Sequence, residues 1–328
     1  MNTFGRIFRI SIFGESHGAA VGITIDGCPA GINLTEQDFL PDLERRKAGA
    51  AGTTPRKEDD LPKFISGVFN GKSTGSPITI LFKNNNTRSS DYEAIRQTPR
   101  PGHADFVLHK KYNGYNDYRG GGHSSGRLTT ALVAAGVVAK RIIAPIEVNA
   151  TLTEAGGQTD IEAAIQAAVE NQDSIGGIIS CSATGLPIGL GEPFFDSAES
   201  LISHLIFSIP AIKGIEFGSG FAASKMKGSE HNDAIIDAEG TTATNHAGGI
   251  NGGITNGNTL TFRVAVKPTS STPREQQTWN TQTQSVQPFQ VKGRHDLCIA
   301  LRAPVVVEAA AAIALADMLL ISKAVKTS

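Results

Sequence analysis

The sequence predicts an α+β fold laid out as one integrated domain over residues 1–328, and three features carry that reading. Short alternating stretches (Arg6 to Phe13, Val21 to Ile25, Ile78 to Phe82, Ile146 to Ala150, Gly177 to Ala183, Leu260 to Val266) have the period-two pattern of half-buried strands. Helical stretches sit between and after them, with Ile161, Ile165, Ala168 and Val169 on one face of 161–170 and an apolar run from about Val306 to Lys323. There is also an internal echo. Gly27-Cys-Pro-Ala-Gly-Ile, followed by Phe39 and a helical run, recurs as Gly185-Leu-Pro-Ile-Gly-Leu, followed by Phe194 and a helical run, which points to approximate duplication.

Thr35 and Asp38 form a capping signal for the helix carrying Arg45 and Arg46, with Pro41 awkward inside it. Residues 47–63 are nearly free of apolar side chains and read as a lid-like loop. The central stretch is Tyr118-Arg-Gly-Gly-Gly-His-Ser-Ser-Gly-Arg127, ahead of a helix running to Arg141. Its glycines permit close backbone approach and Ser124 or Ser125 supplies an N-cap. The first-turn N–H groups, with Arg119 and Arg127, make an anion site. No Gly-Lys-Ser/Thr closes the loop and the Gly-x-Gly-x-x-Gly spacing is absent. A phosphate-binding transferase of another class is the competing reading, though no paired metal carboxylates accompany it.

Composition narrows the classes. Hydrophobic residues make up 40% and charged residues 19% of a chain with 36 glycines, which is a globular, turn-rich profile. A net charge of −1 offers no basic field for nucleic acid, so anions must be met by local arginines. Cys28, Cys181 and Cys298 form no CxxC pair, which argues against a disulfide framework or a metal site and suits a reducing cytoplasm. Glu308 interrupts the longest apolar run, which argues against a membrane span, and no signal peptide is recognisable.

Two histidines stand out. His17 lies in the turn Gly14-Glu-Ser-His-Gly18, which by itself reads as solvent-facing; His103 follows a Pro-Gly turn in Arg100-Pro-Gly-His-Ala-Asp105, with Asp105 placed to orient it. These two motifs, Tyr118 to Arg127, Asn245-His-Ala-Gly-Gly-Ile250, Lys267-Pro-Thr-Ser-Ser271 and Gly293-Arg-His-Asp296, in this order, resemble the chorismate synthases. The resemblance runs from Gly5 to the last helix. It implies conversion of 5-enolpyruvylshikimate 3-phosphate to chorismate and phosphate by a 1,4-anti elimination that requires reduced FMN. It also implies a β-α-β sandwich with helices between sheets, and a homotetramer. Whether the chain reduces its own flavin with NADPH stays open.

Residue by residue, the resemblance gives His17, His103 and Asp296 catalytic roles, supported by Ser16 and Ser125. It places flavin contacts on His123, Ser124, Ser125, Pro210, Ala211, Gly252, Lys267, Pro268, Thr269, Ser270, Ser271 and Arg294, and gives substrate or NADP contacts to Arg46, Arg127 and Arg294. Five departures from the family pattern are visible, one being that the region between Ile142 and Gly177 is shorter than in many relatives. His123 stands for an arginine, Gly126 for an alanine and Leu297 for a proline, and a loop arginine is missing at Ala51 and Gly52.

Overall fold

A computed structural model of the chain describes residues 2–49, 52–53, 58–86, 92–291 and 295–325. The first half contains β1 (Thr3–Phe4), β2 (Arg9–Gly14), β3 (Ala20–Asp26), α1 (Leu40–Arg46), β4 (Lys63–Ser66), the short pair β5 (Val68–Phe69) and β6 (Lys72–Ser73), β7 (Ile78–Lys83), α2 (Glu93–Gln97), α3 (Asp105–Lys111) and α4 (Thr129–Ile143). The second half contains β8 (Glu147–Ala155), α5 (Ile161–Glu170), β9 (Gly177–Thr184), α6 (Ala198–Ile206), β10 (Ile212–Phe217), α7 (Gly228–His231), β11 (Ile250–Asn251), β12 (Ile254–Thr255), β13 (Leu260–Val266), the hairpin β14 (Gln276–Asn280) and β15 (Ser285–Phe289), and α8 (Pro304–Val325).

Two antiparallel sheets organise these elements, in the orders β1-β2-β3-β7-β4 and β10-β13-β9-β8. Set side by side, β2-β3-β7-β4 and β8-β9-β13-β10 have the same connectivity. In each, the opening antiparallel pair (β2-β3, β8-β9) is joined on one edge by the sheet's last strand (β7, β13), and the strand between them in sequence (β4, β10) takes the outer edge; α5, between β8 and β9, has no counterpart between β2 and β3. One helix follows the opening pair (α1, α6) and a longer one comes after the sheet's last strand (α4, α8). The echoed Gly-x-Pro-x-Gly turns stand at equivalent places, after β3 and after β9, so the short sequence repeat marks a duplication of topology.

The halves meet through α4 and α8, which pack on each other with α4 against β2, β3 and β7 and α8 against β8 and β9. This puts helices between sheets. In the first sheet Ile23 stands opposite Ile80 and Ile25 opposite Ile78, all fully buried, as the alternating pattern requires. The expected strand from Arg6 begins only at Arg9. The N–H groups of Arg6, Ile7 and Phe8 instead donate to the buried Asp317 carboxylate of α8, at 2.8–2.9 Å. Pro41 falls at the first turn of α1, where its missing N–H costs nothing, and the Thr35/Asp38 capping box forms.

Helix α8 corrects the expectation drawn from Glu308. Its 22 residues are long and apolar enough to cross a membrane, yet 78% of the apolar window is buried inside the fold. Its acidic groups are satisfied internally. Glu308 accepts from Arg45 at 2.8 and 2.6 Å, from Lys140 at 3.0 Å and from the Ala150 N–H at 2.9 Å.

The α4/α8 crossing depends on Gly136, because a Cβ there would lie 2.6 Å from Ala309 Cα. Helix propensity alone would make Gly136→Ala stabilising by about 1 kcal/mol. Overpacking of a tight crossing costs about 1–3 kcal/mol. The expected net result is a lower denaturation midpoint, and a variant as stable as the parent would mean the helices separate at no cost.

Candidate functional site

The glycine loop threads between the two singled-out histidines. Gly120, Gly121 and Gly122 have φ of 60°, 82° and 55°, a left-handed run that L side chains avoid. A Cβ on Gly120 would lie 2.6 Å from His17 Cδ2 and 2.8 Å from Ser16 Oγ, and one on Gly121 would lie 3.4 Å from His103 Cε1. The glycines therefore serve the imidazoles: successive residues of one backbone stretch abut His17 and His103. His17, expected to face solvent, is only 8% exposed, because the Gly14 to Gly18 turn folds under this loop, with Ser16 N–H donating to Gly122 O at 3.1 Å. Ser125 is the N-cap, accepting from Arg127 N–H at 3.3 Å, and caps a short 3₁₀ turn (Gly126–Leu128) that leads into α4.

His103 is held from behind. Its Nδ1 is 2.7 Å from Asp105 Oδ1. Asp105 in turn accepts from Arg100 Nε and Nη2, each at 2.8 Å, while Arg100 Nη1 donates to Ser271 Oγ at 3.0 Å. Nδ1 also lies 3.1 Å from Arg100 Nη2, a donor only, so it meets both a carboxylate acceptor and a guanidinium donor; the shorter contact to Asp105 favours the proton on Nδ1, with Nε2 beside Gly121. Burial alone would raise the Asp105 carboxyl, but the hydrogen bonds from Arg100 and His103 outweigh it and hold it well below the ordinary carboxylate range. Tyr92 joins the two histidine clusters, edge-on to His17 with ring centroids 5.0 Å apart and with the Arg100 guanidinium 6.0 Å from its centroid.

Next to this lies a bay of buried cations. Arg46 at the end of α1 and Arg127 ahead of α4 both grip Asp60, whose side chain is 1% exposed. Arg46 Nη2 donates to Asp60 Oδ2 at 2.9 Å and Nη1 to Thr129 Oγ1 at 3.2 Å. Arg127 Nη1 donates to Asp60 Oδ1 and, at 3.2 Å, to Thr130 Oγ1, and its Nε to Asn84 Oδ1 at 3.0 Å. Burial pushes the Arg46 guanidinium down to about 10, opposed by Asp60 and reinforced by the charges of Arg127 and Arg302. Asp60 is held low despite burial because Arg46 and Arg127 flank it.

Both clusters open on one cavity of about 750 Å³. Its lining includes Arg46, Asp60, Tyr92, Arg100, His103, Gly120, His123, Ser124, Ser125, Arg127, Pro210, Ala211, the whole run Lys267 to Ser271, Asp296 and Arg302. Most of the residues singled out in the sequence are thus brought together. His17 and Ser16 stand one layer back, against Gly120. Gly252 sits in the turn between β11 and β12 and does not line this cavity. Arg294, Ala51 and part of the 47–63 loop lie outside the described residues. Arg119, read as a cation for the anion site, is instead taken by Asp117 at 2.7 and 2.8 Å and does not line the cavity. His123 is exposed and donates Nδ1–H to Gly14 O at 2.8 Å.

Asp60, Arg100, Tyr92 and Arg302 were not singled out as site residues by the sequence reading. Asp60 sits in a charge run that reads as solvated loop, and Arg302 falls between apolar stretches with no motif around it.

A cavity of this size, lined by apolar side chains together with the buried Arg46 and Arg127 and the His103 imidazole, is that of an enzyme acting on a small molecule. Comparison with known proteins makes the class particular. The family model for chorismate synthase matches residues 8–320. A chorismate synthase of Chitinophaga pinensis is 69% identical over 324 residues, covering 98% of each chain, and one of Dehalococcoides mccartyi is 45% identical over 351 residues, covering 97% of this chain and 96% of that one. A crystal structure of a chorismate synthase superposes with a TM-score of 0.76 at 27% identity, covering 97% of this chain and 93% of that one. The chain belongs to the chorismate synthase family, and its activity is that of a carbon–oxygen lyase in the shikimate pathway. The family chemistry calls for a flavin.

Proposed function

We propose that the cavity binds FMN in its reduced form together with 5-enolpyruvylshikimate 3-phosphate, and that the chain catalyses 1,4-anti elimination of phosphate to give chorismate. The observation that carries this reading is the continuity of the arginine bay with the His103–Asp105–Arg100 cluster in one cavity.

The residues present fit a flavin. About 750 Å³ is within the range of cofactor pockets, and Ile10, Ile12, Pro210 and Ala211 give a wall for an aromatic ring. Buried polar atoms also await partners: Thr269 Oγ1, Arg46 Nε and Arg302 Nε have no protein hydrogen bond. Ser124, Ser125 and the Lys267 to Ser271 run are the residues that would hold the cofactor, and Arg294 and Gly252 stay in the proposal on resemblance alone. When bound, reduced flavin supplies electron density to the allylic system. The chain's own part is electrostatic and acid–base. Arg46 and Arg127 take anionic groups of the substrate in a water-poor bay where each bond counts for more than in water. His17, which stands behind Gly120 and outside the cavity lining, keeps on resemblance alone the role of proton donor to the departing phosphate oxygen. His103, held by Asp105, and Asp296 line the cavity where the cofactor would lie and are the acid–base groups placed there, with Ser16 and Ser125 supporting them. The 47–63 segment, tied at Gly52 O by the N–H groups of Leu297 and Cys298 at 2.8 and 3.2 Å, acts as the cover.

A homotetramer in the cytoplasm completes the reading. Three free, buried cysteines suit a reducing compartment, and Phe194 and Phe195, 86% and 92% exposed, offer apolar surface for contact between copies.

Anaerobic release of phosphate from 5-enolpyruvylshikimate 3-phosphate is expected with photoreduced FMN and not with oxidised FMN or without flavin. Turnover without flavin would remove the assignment. Adding NADPH to oxidised FMN in the same assay separates a chain that reduces its own flavin from one that depends on a reductase.

A further inference from the structure

We propose that Arg302 is a positioning residue that sets the orientation of Asp296, tying the carboxylate to the end of the helix that carries Arg46. The proposal rests on the reading of Asp296 as a working carboxylate at the cofactor.

Arg302 follows the 3₁₀ turn Ile299–Leu301 and comes just before α8, so its backbone is anchored to the helix at the centre of the fold. Its side chain is 19% exposed and that of Asp296 is 9% exposed, and both line the cavity. Nη2 donates to Asp296 Oδ2 at 2.6 Å, a short charge-assisted bond. From the other prong Nη1 reaches the Arg46 carbonyl at 3.5 Å, a long contact at the C-terminal end of α1. One planar guanidinium therefore spans two segments far apart in sequence: the loop bearing Asp296 and the helix bearing Arg46. The backbone just beyond Asp296 is fixed separately, through the Leu297 and Cys298 N–H groups to Gly52 O. That tether fixes the backbone, and the bond from Arg302 fixes the position of the carboxylate oxygen Oδ2. A lysine would carry the charge but would lose the fork geometry that reaches both acceptors.

The alternative role for a cavity-lining arginine is direct contact with an anionic ligand, and the two roles separate kinetically. A positioning residue acts through Asp296, so its removal should lower kcat and leave binding nearly intact. A ligand contact would raise KM or weaken flavin binding.

The test uses the full chain as parent, Arg302→Met, Arg302→Lys, Asp296→Asn and the Asp296→Asn/Arg302→Met double variant. Steady-state kcat and KM for 5-enolpyruvylshikimate 3-phosphate would be measured anaerobically with reduced FMN, alongside fluorescence titration with oxidised FMN and the denaturation midpoint. The expected result is a kcat at least about tenfold lower in Arg302→Met, with KM and FMN affinity within about twofold of the parent. Arg302→Lys should recover part of the rate, and the Met substitution should cost little more once Asp296 is already Asn. A tenfold rise in KM with kcat preserved, a tenfold loss of FMN affinity, or an undiminished effect in the Asp296→Asn background would overturn the proposal. If Arg302→Met does not fold, Arg302→Lys takes its place: a kcat equal to the parent's overturns the proposal, and a lowered kcat with KM and FMN affinity unchanged supports it. A parental rate in Asp296→Asn alone would show that the reading of Asp296 itself has failed, and Arg302 with it; an impaired Asp296→Asn with a fully active Arg302→Met would sink only the role given to Arg302.

Discussion

Replacing either His103 or His17 with alanine is expected to lower turnover by about 10²- to 10⁴-fold, the usual contribution of a placed acid–base group. For His103 the geometry makes this a functional loss with little structural cost. Its side chain is 21% exposed, and its partner Asp105 keeps both bonds from Arg100 after the imidazole is gone. The denaturation midpoint should barely move. His17 is more deeply packed, between Gly120 and the edge-on Tyr92 ring, so His17→Ala should also lose some stability as a small void opens. Rates are therefore compared at temperatures where both variants are folded by near-UV circular dichroism. Parental kcat in both would remove the roles assigned here. Asp105→Asn is informative beside them. It keeps the side chain's shape but can turn an N–H toward His103 Nδ1 and shift the ring proton to Nε2, so a rate loss with FMN affinity intact would trace the effect to the tautomer.

How far the sequence foretold this site follows from how each residue is held. The bounds of strands with strict alternation, such as Leu260–Val266, and of the helix Ile161–Glu170 are legible because burial on one face is written as a local period, although on that helix the expected face includes Val169, which is exposed, while Ala164 is buried. The duplication was legible only as a pair of turns. Its full extent lies in sheet order, which depends on long-range pairing such as β3 with β7 and β9 with β13. Gly120 to Gly122 were read as room for a ligand's phosphate, yet what occupies that room is His17 and His103, brought from segments separated by 85 or more positions in the chain. His17 itself looked like a solvent-facing turn residue since nothing near it in sequence says that another loop covers it. Asp60 was hidden for the opposite reason: its neighbours Lys57, Glu58 and Asp59 make a polar run, and only the fold shows that Asp60 turns inward, with φ of 51°, between two arginines.

Asp60→Ala is expected to cost about 3–5 kcal/mol of stability, because it leaves two buried guanidiniums in one bay without their shared carboxylate. Arg46 and Arg127 are 8% and 5% exposed at the side chain, so water cannot take over the role of the lost anion cheaply. The same reasoning says what should rescue the variant. An inorganic phosphate ion offers the acceptor oxygens that Asp60 supplied, and a ligand bound only by the folded state stabilises it by mass action. Millimolar phosphate, set against chloride at matched ionic strength, should therefore raise the denaturation midpoint of Asp60→Ala more than that of the parent. Asp60→Asn gives the pH test. With its folded pKa depressed, the Asp60 carboxyl stabilises the parent fully above its unfolded value of 3.8 and loses that contribution as pH falls through the lower folded value. The stability gap between parent and Asp60→Asn should accordingly be constant well above pH 3.8 and shrink below it. A gap that does not change with pH, together with an Asp60→Ala variant that loses less than about 1 kcal/mol and ignores phosphate, would mean that the two arginines do not depend on Asp60 for their charge balance. A bay with two buried guanidiniums on one carboxylate, Arg46 among them pushed down to about 10, holds an electrostatic cost that a bound phosphate or carboxylate would relieve, which is why phosphate is the probe chosen for Asp60→Ala.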